Sequence, residues 1–351
     1  MQFPLGFALD RYGPRRVNAA FFVFTAAGAL SFAFAQSYEG LVFSRTLIGF
    51  GVSAALIAAM QSFVIWYPRE RIGALISLIY ASGGVGILLV SFPLAWALRI
   101  FDWREIFIGL AAASLAICAL LAFVVPERTA ARRPETAAAQ FGGFAQILRD
   151  PGFRCAAIVL AANQFTVPPL LNLWIGTWLR DVAGYTESEV AWMLALMAPA
   201  MIAGYLVSGR LGDACARRGK PEFPVFAAAI AGTLATLVPL ALGMAAIAVI
   251  VWPLFIFFGM GATLAHAIAN RRFPPELSGR VNTILNFCGL LAMFIGQWLV
   301  GAVLGLWPQT PDGGYDPRGY SVAMGGQGVV LALALAWLWR SRALFSTPAN
   351  R

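Results

Sequence analysis

The chain has little with which to do covalent chemistry. It carries one histidine, His266, and its four cysteines (Cys118, Cys155, Cys215 and Cys288) are scattered, without a disulfide or metal-ligand spacing. It has no glycine loop of the kind that cradles phosphate and no nucleophile elbow. These shortages remove the common ways of building an active site, so neither an enzyme nor a bound cofactor is expected. Charge is also scarce: 12% of the residues are charged and 60% are hydrophobic, with a mean hydropathy of +0.75. Such a chain cannot cover itself with a polar surface, so its main solvent should be lipid. The net charge of +9 does not argue for nucleic acid, because the cations border apolar runs instead of forming a basic groove with interleaved stacking aromatics.

A helix that crosses about 30 Å of hydrocarbon needs roughly 20 mainly apolar residues, and lipid offers no partner to an open backbone. Ten segments meet that requirement: 17–36, 40–65, 74–98, 105–125, 154–179, 188–209, 222–243, 245–269, 280–304 and 319–339. No barrel-like alternation occurs. The expected fold is an all-α polytopic membrane protein, a bundle of about ten complete spans plus an N-terminal partial one. Residues 1–9 are apolar but too short to cross, and they run directly into Asp10 and Arg11. That order is the reverse of a signal peptide. They read as the tail of a helix that starts upstream, with about 45–55 preceding residues expected at roughly 20 per span plus a turn.

Two polar stretches of the first half recur in the second. Tyr67, Pro68, Glu70 and Gly73 are answered in register by Phe273, Pro274, Glu276 and Gly279. Gly6, Asp10, Arg11, Gly13, Arg15 and Arg16 are answered by Gly209, Asp213, Arg217, Arg218, Gly219 and Lys220. Both echoes lie between apolar runs, the pattern of a membrane protein made of two related halves. The Pro-, Ala- and charge-rich stretch 127–152, with a short amphipathic segment at 141–148, reads as a linker between an N-terminal half at 1–126 and a C-terminal half at 153–345.

Of the 25 basic residues, twenty fall in the loops on one side of the alternating spans. Arg99, Arg104, Arg180 and Arg318 fall on the other, and Arg45 lies inside a span. The richer side, which includes the linker and the C-terminus, should be cytoplasmic.

These residues resemble the major facilitator superfamily. The stretch from Gly6 to Arg16 is similar to that family's signature loop between its second and third helices, and 209–220 to the weaker copy between helices eight and nine. Arg45, Gly49 and Gly51 match its fourth-helix pattern. The resemblance runs from the end of family helix two to the end of helix twelve, without helix one. It implies two helical halves around a central cavity, a coupling or hydrogen-bonding role for Arg45, and a monomer moving a small molecule, with a proton as candidate coupling ion. The fifth-helix antiporter pattern is not reproduced, because Gly83, Gly84 and Gly86 precede Pro93, which disfavours multidrug export by proton exchange.

Carboxylates near helix N-termini suggest a cytoplasmic gate built from reciprocal pairs. Asp10 should face the start of the 280 helix near Arg280, and Asp213 the start of the 74 helix near Arg71. Arg11, Arg15, Arg16, Glu70, Arg217, Arg218 and Glu276 complete the set, and simple solvated loop charges are the alternative.

Polar side chains at membrane depth are costly unless they meet a partner or water, which makes them cavity candidates. The span 154–179 is richest, with Asn163, Gln164, Thr166 and Asn172 around Pro168 and Pro169. The same residues also suit a kinked packing helix whose amides bond neighbours. Arg45 and Asn286 join the proposed cavity, with Asn282 and Gln297 as weaker members. Trp174 and Trp178 read as interface anchors, and His266 as a packed histidine. None of the sixteen acidic residues falls near mid-membrane in the chain. The functional expectation is secondary transport by alternating access at a midplane site. The alternative is a truncated relative that binds a ligand or partner without moving it.

Overall fold

The computed structural model describes residues 12–67, 96–126, 144–274 and 277–345, with isolated positions among residues 5–9 and 82–94. Among the described residues there are helices and turns but no strand, and nine spans long and apolar enough to cross a membrane. The tenth expected span, 74–98, lies mostly outside the described residues. The chain divides into two compact units, Met1–Thr136 and Ala137–Arg351.

In the first unit, helix α1 (Pro14–Phe34) starts where a proline at the first helical position removes a donor that would have had no partner. Gly13 precedes it at φ +81°, a conformation that an L side chain resists. Ser37 caps α2 (Tyr38–Val52) by accepting the Gly40 N–H at 3.1 Å. The expected span 40–65 corresponds to one span, Tyr38–Ala59, whose hydrogen-bond ladder is interrupted at Ser53 and Ala54 before α3 (Ala55–Trp66). Asp102 and Glu105 form a capping box at the start of α4 (Trp103–Phe123).

Helices α1 and α2 cross at glycines. A Cβ on Gly28 would lie 2.7 Å from the Ile48 nitrogen, and one on Gly51 2.4 Å from the Thr25 nitrogen. Small residues let backbones approach where lipid gives helices no hydrophobic reason to associate. Among the described residues nothing lies near a Cβ on Gly49, whereas Gly51 of the same Arg-Gly-Gly pattern serves close packing.

The second unit begins at Asp150, which accepts the Phe153 N–H at 2.6 Å and caps α5 (Pro151–Pro169). A π-helical turn, Leu170–Trp174, joins α5 to α6 (Ile175–Asp181), and the three form one 31-residue span. Four further spans follow: α7 (Glu187–Arg217), α8 (Phe223–Ala241), α9 (Ala248–Met260) continued by α10 (Leu264–Asn270), and α11 (Ser278–Leu304). The last is α12 (Pro317–Arg340). Phe153, Leu170, Trp178, Phe226, Trp252, Phe255, Leu285 and Leu331 belong to one buried core. Outward-facing side chains such as Leu115, Leu120, Leu290 and Phe294 are exposed and apolar, as lipid contact requires.

Candidate functional site

The centre of the 151–181 span is set by its two prolines. Neither Pro168 nor Pro169 has an N–H, so the carbonyls four residues earlier, of Gln164 and Phe165, lose their helical donors. The Phe165 carbonyl is met by a side chain from α12: Gln327 Nε2 donates to it at 3.1 Å, and Gln327 is buried. Gly296 of α11 covers the same carbonyl so closely that a Cβ there would have no room. The wider π turn follows at once, as expected where the hydrogen-bond ladder has been interrupted.

Of the expected cavity residues, Asn163 is buried, and its Nδ2 has no hydrogen-bond partner among the described residues. Gln164 is half-buried and touches Gly289 of α11, one turn along from the half-buried Asn286. The Thr166 hydroxyl donates to the Ala162 carbonyl at 3.0 Å within its own helix. Asn172 is exposed. Polar groups at the bend therefore come from α5 and α12, and Gln327 is the member that sequence reasoning passed over. A single glutamine between glycines and aliphatic residues on α12 gives no periodic signal. Only the position of the freed carbonyl explains it.

Arg45 lies in the first unit. Its guanidinium stacks 4.8 Å from the Phe32 ring centroid and 5.7 Å from that of Phe107, and the side chain is exposed. Trp174 and Trp178 differ from the expected interface anchors. Both are buried, Trp178 packs edge-on against Trp252 at 5.5 Å, and none of the three indole N–H groups meets an acceptor among the described residues. An anchor at the bilayer surface would show its N–H to water. His266 is half-buried in an amide network. Asn282 Oδ1 accepts from Asn270 Nδ2 at 2.9 Å and sits 3.1 Å from His266 Nδ1, so the ring proton is assigned to Nδ1.

The expected gate is mostly beyond view. Asp10, Arg11, Glu70, Arg71 and Glu276 lie outside the described residues, as do the side chains of Asp213 and Arg217. Arg15 donates to the Ala122 carbonyl, Arg280 is half-buried, and Arg16 and Arg218 are exposed.

A different charged cluster ties the base of the second unit. Arg272 donates to both oxygens of Asp150, from Nε at 2.7 Å and Nη2 at 3.0 Å, and to the Leu344 carbonyl at 2.9 Å. Burial pushes the Asp150 carboxyl up. Hydrogen bonds from Arg272 and the Phe153 N–H, with the Arg272 charge, outweigh that and hold it below its ordinary value. Among the described residues no group of side chains could hold a metal ion.

The sequence profile of the Major Facilitator Superfamily matches residues 1–297. The chain belongs to that superfamily. As a member it is similar to the multidrug resistance protein MdtH of Aeromonas salmonicida, at 28% identity over 54% of this chain and 47% of that one. It is also similar to the probable sulfoacetate transporter of Cupriavidus necator, at 23% identity over 86% and 75%. This superfamily member spans about half the length of the Aeromonas relatives it matches. Its fold is that of the D-xylose–proton symporter crystal structure, with a TM-score of 0.70, 15% identity, and coverage of 99% of this chain and 84% of that one.

Proposed function

We infer that this superfamily member is a secondary transporter of a small solute, acting as a monomer by alternating access of its two helical units. The observation that carries the reading is the proline-broken span 151–181. Gln327 of another helix reaches the carbonyl freed at its bend, and among the described residues the buried Asn163 donor has no partner. Such a group in a lipid-solvated protein suits contact with solute or water. In this reading Asn163 and Gln164 contact the solute within the second unit, where Asn286, Thr166 and Asn172 are further candidates, and Arg45 is a candidate contact of the first unit. The excess of loop cations on one side supports a cytoplasmic C-terminus. Relatives named for sulfoacetate and for nitrate and nitrite favour a small polar solute. A proton remains the candidate coupling ion.

Counterflow in proteoliposomes tests the reading, since only a transporter exchanges label across a sealed membrane. Asn163→Ala and Gln164→Ala should each weaken apparent affinity about tenfold or more, the weight of one or two buried hydrogen bonds. Unchanged affinity and flux in both variants would remove the site assignment. A folded protein without exchange for any solute would leave a membrane-bound binding or interaction protein.

A further inference from the structure

Arg45 is placed for recognition. It is the eighth residue of α2, so its Cα lies about 10 Å in from the helix start at 1.5 Å per residue. The side chain does not stay at that depth. Phe32 is two residues from the end of α1 and Phe107 four residues into α4, so a guanidinium stacked on both rings has been carried to the mouth of the unit. Side chains on a helix lean toward its N-terminus, which here is that mouth.

The guanidinium lies beside both rings, 4.8 Å from the Phe32 centroid and 5.7 Å from that of Phe107. Stacking on ring faces stabilises a cation without using any N–H. Among the described residues no carboxylate lies within ion-pair distance of Arg45, and no hydrogen-bond acceptor meets it. Of the acids at this end of the unit, Glu105 accepts the Asp102 N–H and Asp102 accepts the Arg104 N–H, while Glu39, in the first turn of α2, makes no ion pair with Arg45. Arg45 lines an open surface groove of about 480 Å³ together with Phe32, Tyr38, Leu41, Val42 and Thr46. The Thr46 hydroxyl is donated to the Val42 carbonyl, so the guanidinium is the strong donor of that groove. A guanidinium with no ion-pair partner among the described residues, set beside apolar side chains, matches a planar or tetrahedral oxyanion.

We propose that Arg45 is the recognition residue of an oxyanion site at the mouth of the first unit, and that the solute is a small organic or inorganic anion bearing a carboxylate, sulfonate, phosphate or nitrate group. The proposal rests on the transport reading for its occupant, and a soluble anion and an anionic lipid headgroup share the chemistry. Thermal stability of the detergent-purified chain is measured with acetate, succinate, sulfoacetate, nitrate, glycerol phosphate and glucose, against potassium chloride of equal ionic strength. At least one anion should raise Tm and glucose should not. Arg45→Gln should abolish the shift, Arg45→Lys should retain part of it, and Arg99→Gln, which removes an exposed charge outside the groove, should leave it intact. Where counterflow is seen, Arg45→Gln should raise KM for the anion about ten- to a hundredfold, the weight of one charge-assisted hydrogen bond. Vmax should change far less.

Four results would overturn the proposal: no anion acting beyond the chloride control, stabilisation by glucose alone, an anion effect that survives in Arg45→Gln, or an Arg45-dependent effect of phosphatidylglycerol with none from soluble anions. The last would give the site to lipid. Counterflow of a neutral solute without anion binding would sink this proposal and leave transport standing. Arg45-dependent anion binding without any counterflow would do the reverse.

Discussion

Asp150 and Arg272 show what one pair of side chains can hold together. The carboxylate caps α5, accepts a two-pronged guanidinium from the loop after α10, and through Arg272 reaches the Leu344 carbonyl. Because the folded carboxyl sits below its ordinary value of about 4, its contribution is fully present above that value. It is lost as pH falls through the lower folded value. Asp150→Asn should therefore cost on the order of 1 kcal/mol at neutral pH, allowing for solvent screening of a quarter-exposed pair. The difference in thermal unfolding between wild type and variant should shrink as the medium is taken below pH 4. At the same scale Gly49 and Gly51 separate. Gly51→Ala should lose about 1–3 kcal/mol by overpacking against the Thr25 and Phe21 backbone, whereas Gly49→Ala should be neutral or gain up to about 1 kcal/mol from helix propensity. Melting curves of the two variants check this directly, and equal effects would contradict the packing account.

At the scale of the element, the span 151–181 is shaped by a missing donor and a borrowed one. Pro169 leaves the Phe165 carbonyl open and Gln327 closes it from another helix. Gln327→Leu should cost about 1–3 kcal/mol, because a buried carbonyl then has no partner. In a Pro169→Ala background the helix can supply its own N–H, so the same change should cost much less. A double-mutant cycle on thermal stability reads that coupling directly, and additivity would show that the two residues act independently. The bend itself was legible in the sequence, since two adjacent prolines in an apolar run can only break the ladder. Its partner was not, because Gln327 and Phe165 are far apart in the chain and only folding brings them together. The buried Trp174 and Trp178 make the same point from the other side. Their position near a span end suits a lipid interface, yet packing against Tyr315 and Trp252 takes them inside.

Taking the molecule whole, each of the two units carries its own helices, and the proposed direction of threading rests on the charge asymmetry between alternate loops. A green fluorescent protein fused after Arg351 should fluoresce in a bacterial cytoplasm, and an alkaline phosphatase fused there should stay inactive. An active phosphatase would invert the topology. Spans and loops were readable because lipid demands long apolar runs with internally bonded backbones, and that demand is local to each segment.

The sequence by itself therefore determined the solvent, the helical class, the family and the place of the bend, all of which follow from composition, run length and short motifs. Tertiary structure alone decided which glycine of a pair is packed, which carbonyl is rescued by Gln327, and where the Arg45 guanidinium comes to rest. Those outcomes depend on distances between residues remote in the chain, and no local pattern of side chains encodes a distance.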